Sequence, residues 1–158
     1  MKNKNVFFLT QAAMIAAVYV VLTFLANTFG LANYAIQIRF SEALTILPYF
    51  TPTAIPGLFL GCLISNALTG CALPDIIFGS LATLFAACVT YKLRHFKWLA
   101  PLPPIIANAV TVPLLLRYVY GIEPLWLSFL TVTAGELISC GLLGMLLLFS
   151  LQKYTRLF

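Results

Sequence analysis

The run RFSEALTILPYFTPTAIPGLFLG, Arg39 to Gly61, decides how the rest of the chain is read. It sets Arg39 and Glu42 one helical turn apart beside strongly apolar sequence, in a chain with only four acidic residues. A carboxylate in or near a membrane is costly and is by default a functional candidate. The apolar segment Ile38 to Phe50 rises only about 20 Å as a helix, too little to cross a bilayer untilted, so it is expected to lie buried among other helices. Thr51-Pro52-Thr53 reads as a turn, and Pro56 suits the first turn of the next helix, where its missing N–H does no harm.

Composition sets the class. The hydrophobic fraction is 62%, the charged fraction 8% and the mean hydropathy +1.02, against roughly 45–50% and about 25% in soluble proteins. The expectation is an all-α integral membrane protein, one compact helical unit over residues 1–158 with room for five or six spans. The net charge of +5 does not point to nucleic acid, because the basic residues cluster between spans, as topology requires. Cys62, Cys71, Cys88 and Cys140 form no Cys-x-x-Cys pair, a single histidine is present to share a metal, and the four read as small buried hydrophobes.

The spans follow in order. Val6 to Ala26 is too long for a signal-peptide core and is read as a retained first span. Ala12 with Ala16 and Ala13 with Ala17 give it two overlapping small-x-x-x-small pairs, which permit close helix approach. Asn27 to Gln37, with Gly30, Asn33 and Tyr34, is long for a connection and reads as a lid. Further spans are expected at Ala54 to Leu68, with Gly57 and Gly61 as a close-packing pair, Pro74 to Tyr91, Pro101 to about Arg117, and Leu125 to Leu151. Asp75 in a first turn is either a helix-dipole cap or a ligand group. If the segments alternate from a cytoplasmic amino terminus, Lys2, Lys4, Lys92, Arg94, Lys97, Lys153 and Arg156 lie inside with the carboxyl terminus, and Arg39 and Arg117 outside. Glu42, Asp75, Glu123 and Asn66 then fall in the outer half.

Glu136 lies about 16 Å along the last span, near mid-bilayer, on the border of a small polar stripe of Ser128, Thr131, Gly135 and Ser139 that should face inward. It needs donors, a cation or a proton; a ligand or an internal pair with Arg39 or Arg117 would serve. Several carboxylates against two outer arginines imply a ligand rich in donors or positive charge, such as a guanine-like edge or an amine. Tyr34, Phe40, Tyr49, Phe78 and Trp126 are candidate stacking surfaces. No metal-ligand cluster, Ser–His pairing or phosphate loop marks an enzyme or a bound cofactor, and His95 sits among solvated cations.

The run Ile38 to Thr45, then Phe50 to Cys62, resembles the QueT family of queuosine-precursor transporters. Asp75 to Leu84, Ala100 to Pro104 with Asn108, and Gly135 to Ile138 continue the likeness over nearly the whole chain. The resemblance implies a substrate-binding S component of an energy-coupling factor (ECF) transporter, a six-helix bundle that associates with a membrane T component and two cytoplasmic ATPases. It also implies preQ1 or a related 7-deazaguanine as substrate, and contact with the T component through the Ala-x-x-x-Ala pattern of Ala12, Ala13, Ala16 and Ala17. From their own chemistry and position, Glu42 and Glu136 are expected to be the main ligand carboxylates. One would read the guanine-like edge, and the other, or Asp75, would hold the aminomethyl group. Arg39 would orient Glu42 or bind the ring carbonyl; Asn66 and Asn108 are secondary, Asn108 because it falls toward the cytoplasmic half. The alternatives are an S component for another vitamin-like molecule, an intramembrane enzyme, or a structural membrane subunit.

Overall fold

The computed structural model describes residues 3–30 and 38–154. Residues 31–37 of the expected lid, Tyr34 among them, and Lys2 and Arg156 lie outside the described residues. Helix α1 (Lys4–Thr28) is followed by a 3-10 helix (Phe40–Tyr49), α2 (Ala54–Leu68) and α3 (Leu73–Lys92). Then come α4 (Leu102–Tyr118) and a last span in which α5 (Leu125–Glu136) runs through a π-helical stretch, Leu137–Leu143, into α6 (Gly144–Gln152). The expected all-α bundle is observed. Four helical stretches, beginning at Lys4, Leu73, Lys97 and Leu125, are long and apolar enough to cross a membrane, and α2 is a shorter apolar helix.

Successive α-helices pack as neighbours from α1 to α5, and the 3-10 helix runs between α1, α2, α3, the π-helical stretch and α6. Short Ile38–Phe50 is therefore buried among other helices. From Phe40 to Tyr49 it is wound as 3-10, far beyond the three or four residues usual for that form. Pro48 lacks the N–H that an α-helical bond to Leu44 would use. Three-residue winding also lines up Glu42, Thr45 and Pro48 on one ridge, and all three are buried. Its upper end lies where α1 and α2 finish and α3 and α5 begin. At its lower end Thr53 donates to Gln11 at 3.2 Å.

Helix α1 buries Ala12, Ala16, Tyr19, Thr23 and Ala26, alternating steps of four and three that make one narrow seam. That seam meets the Gly57 and Gly61 face of α2. A Cβ on Gly61 would lie 2.7 Å from the Tyr19 Cβ and 3.2 Å from the Ala16 Cα, and one on Gly57 would lie 2.8 Å from the Ala12 carbonyl oxygen. The two alanine pairs therefore separate. Ala12 and Ala16 are closed off by α2, whereas Ala13 and Ala17 face outward. Gly61→Val should lower stability by roughly 1–3 kcal/mol through overpacking, while outward-facing Ala13→Val stays near wild type; thermal unfolding of both in detergent compares them.

Candidate ligand-binding site

Glu42 leaves the first turn of the 3-10 helix into the bundle centre and is 2% exposed. Its Oε1 accepts a 2.7 Å hydrogen bond from the Tyr19 hydroxyl. Its Oε2 is buried with no hydrogen-bond partner among the described residues. Glu136 arrives from the last residue of α5, 5% exposed. Its Oε1 accepts from the Asn108 amide at 3.0 Å, and its Oε2 from the Cys140 thiol at 3.1 Å. One oxygen of each carboxylate and the Cys140 sulfur all lie within 4.8 Å of one another. Cys140 also approaches the Glu42 carbonyl oxygen at 3.4 Å and the Thr45 hydroxyl at 3.5 Å.

At such a separation two full negative charges repel by roughly 3–4 kcal/mol even at an effective dielectric of about 20. Among the described residues neither carboxylate has an ion-pair partner: Arg117, one of the two partners considered for Glu136, instead meets Glu123 at 3.6 Å near the surface. The site thus has acceptors to spare and lacks a cation in contact.

Above the carboxylates is a cavity of about 410 Å³, lined by Thr23, Phe24, Asn27, Thr28, Arg39, Asn66, Thr69 and Cys71, a size normal for a small-molecule site. Hydrogen bonds connect its lining with residues next to the pair beneath. Thr23 donates to the Tyr19 carbonyl and to Ser41, the neighbour of Glu42. The Arg39 main-chain N–H donates to Ser139 at 3.2 Å. The Asn66 amide reaches the Cys62 sulfur at 3.6 Å.

The QueT transporter family model matches residues 9–153, a range that contains every group just described. The chain belongs to the QueT transporter family. It is also 34% identical over 84 residues to the queuosine precursor transporter QueT of Lactococcus lactis subsp. cremoris (strain MG1363). That match covers 53% of this chain and 49% of the relative, so it spans about half of that protein's length. No solved structure matches the chain. Family membership and the four long apolar helical stretches make this a multi-pass membrane protein.

In this QueT chain the candidates from the sequence divide. Glu42, Glu136 and Asn108 meet at one point; Arg39 and Asn66 line the cavity over it. Asn108, a secondary candidate expected toward the cytoplasmic half, reaches Glu136 because both sit mid-span on neighbouring helices. Asp75 stands apart: its Oδ2 accepts from the Tyr120 hydroxyl at 3.1 Å, and that hydroxyl accepts from the Ala72 N–H at 3.1 Å. Partial burial raises the Tyr120 pKa and the Asp75 carboxylate adds to it, against the opposing Ala72 hydrogen bond, so the phenol stays a donor. Asp75 Oδ1 and the Asn66 amide flank Gly79, where a Cβ would stand 3.6 and 3.3 Å from them.

Of the expected stacking rings, three lie away from the cavity. Phe78 and Trp126 are exposed, and Tyr49 packs edge-on to Phe50 toward the lower end. The aromatic ring lining the cavity is Phe24, which no pattern in the apolar first span distinguishes. Cys140 is more than a small buried hydrophobe, since its thiol sits on Glu136. A larger, open groove of about 800 Å³ between α4 and α5 is lined mainly by Ala109, Val110, Pro113, Leu114, Phe129 and Leu130, with Arg117 and Glu123 at one end; its walls offer a donor-rich ligand little. Tyr19→Phe leaves both Glu42 oxygens unpartnered and should cost about 1–3 kcal/mol of stability. In a Glu42→Leu background the same change should cost much less, which a double-mutant cycle of unfolding free energies measures.

Proposed function

We propose that this chain is the substrate-binding S component of an ECF uptake transporter, a single transmembrane domain that captures preQ1 or a closely related aminomethyl 7-deazaguanine. The observation that carries the reading is the convergence of Glu42 and Glu136, one oxygen of Glu42 having no partner, beneath a cavity that holds Arg39 and Asn66. Opposite ends of a purine-sized ring lie further apart than 4.8 Å. Both carboxylates therefore address one group, the aminomethyl ammonium, which can donate to Glu42 Oε2 and Glu136 Oε2 together. The guanine-like ring then occupies the cavity over them, with Arg39 and Asn66 for its polar edge and Phe24 against its face. Family membership supports the substrate class, as does the likeness to the queuosine precursor transporter of Lactococcus lactis. No catalytic step is assigned to the chain.

The amino terminus and carboxyl terminus are assigned to the cytoplasm. Lys4, Lys92, Arg94, Lys97 and Lys153 cluster at the lower end, whereas Arg39 and Arg117 belong to the upper end, so the positive-inside rule directs the cavity outward. Energy for uptake comes from a T component and two cytoplasmic ATPases, and the outward-facing Ala13 and Ala17 are the part of the alanine pattern open to the T component. Ala13→Leu/Ala17→Leu should leave ligand affinity intact and reduce co-purification with the T component; full retention would remove that contact.

Calorimetry in detergent with preQ1, 7-cyano-7-deazaguanine and guanine tests the ligand. PreQ1 should bind tightly, the cyano analogue more weakly and guanine least. Glu136→Gln should weaken preQ1 at least about thirty-fold, the effect of ~2 kcal/mol or more lost from a buried charge pair. Equal affinity of folded protein for all three compounds, or for preQ1 before and after the substitution, removes the ammonium from this site.

A further inference from the structure

We propose that Glu42, Glu136 and Cys140 form a three-ligand site for a soft divalent transition-metal ion of the zinc type, and that the ion competes with the cationic substrate. The second half rests on the ligand reading above; the first does not. One carboxylate oxygen from each glutamate and the Cys140 sulfur lie within 4.8 Å of one another, and all three residues are buried. Glu42 is 2% exposed, and its Oε2 has no hydrogen-bond partner among the described residues. A dry acceptor without a donor is what a cation at this point would satisfy.

The donor set selects which cation. Calcium and magnesium are hard ions that take oxygen ligands, whereas a thiol in the set favours a softer ion. Zinc and cadmium accept mixed thiolate and carboxylate ligands in a tetrahedron, with ligand atoms roughly 3.5 Å apart. Cys140 and Glu136 are already at 3.1 Å. Glu42 has to move its carboxylate by about an ångström to reach that spacing. The Glu42 carbonyl oxygen, 3.4 Å from the sulfur, or a water completes the four. Thr45, also on the sulfur at 3.5 Å, and Asn108 on Glu136 at 3.0 Å supply the outer hydrogen bonds that hold such ligands in place. Arg39 is the nearby cation; among the described residues it forms no ion pair with either carboxylate, and its charge offsets that of the cluster only from a distance.

The test titrates metal-stripped protein in detergent with cadmium, reading the ultraviolet thiolate-to-cadmium absorbance, and then repeats the preQ1 calorimetry with and without the metal. One cadmium per chain is expected, displaced by zinc. Cys140→Ser should abolish the band, while Cys71→Ser/Cys88→Ser retains it, and Glu42→Gln or Glu136→Gln should each weaken cadmium at least tenfold, with thermal unfolding confirming that every variant is folded. A band that survives Cys140→Ser overturns the site. Bound cadmium that leaves the preQ1 affinity unchanged overturns the competition. If preQ1 fails to bind in chelator, the ligand reading falls, and with it the competition, while the cadmium band still decides the metal site.

Discussion

A carboxylate taken out of water in a membrane interior must be given partners, and the placement of Glu42 rests on how this is done. The 3-10 helix that carries it is enclosed by five other segments, so the side chain has no route to solvent through its own element. Tyr19 supplies one donor from α1. Ser41, its neighbour, is held by Thr23 from the same helix. Glu136 meets the same requirement differently, drawing one donor from α4 and one from its own helix. The two solutions end at a common point, and there the supply of protein donors runs out.

Close approach of α1 and α2 makes this arrangement possible. Gly57 and Gly61 let the second helix settle on the alanine seam of the first, and the Tyr19 side chain, adjacent to Gly61, is thereby pinned with its hydroxyl toward Glu42. A packing motif and a polar site are in this way one construction. Side chains larger than hydrogen on that face of α2 would move the ring that orients the carboxylate.

Much of this was legible in the sequence. Hydropathy and proline punctuation located the spans, since lipid allows only long apolar helices or buried short ones, and the shortness of Ile38–Phe50 already placed it inside. Rarity made Glu42 and Glu136 conspicuous, and the small-residue stripe around Glu136 faces inward because polar groups cannot face lipid. What could not be read was which residues meet. Glu42 and Glu136 are far apart in the chain, and no periodicity links them. Tyr19, Phe24 and Cys140 look like ordinary members of apolar spans until a neighbour is known. The two alanine pairs are equivalent by spacing, and only the glycine face of α2 distinguishes them. Phe78, Trp126 and Tyr49 lie away from the cavity for a related reason: a membrane surface itself recruits aromatics, so their presence near span ends says nothing of a ligand.

The tight winding of the 3-10 helix also governs reach. At about 2.0 Å per residue in place of 1.5 Å, its ten residues extend roughly 5 Å further than the same residues would as an α-helix. That added length lets one short element begin under the cavity, beside Arg39, and end near Thr53 and Gln11, where α1 is still close to its start. The element is a strut. One packed segment thereby joins the cavity at its upper end to the early turns of α1 at its lower end.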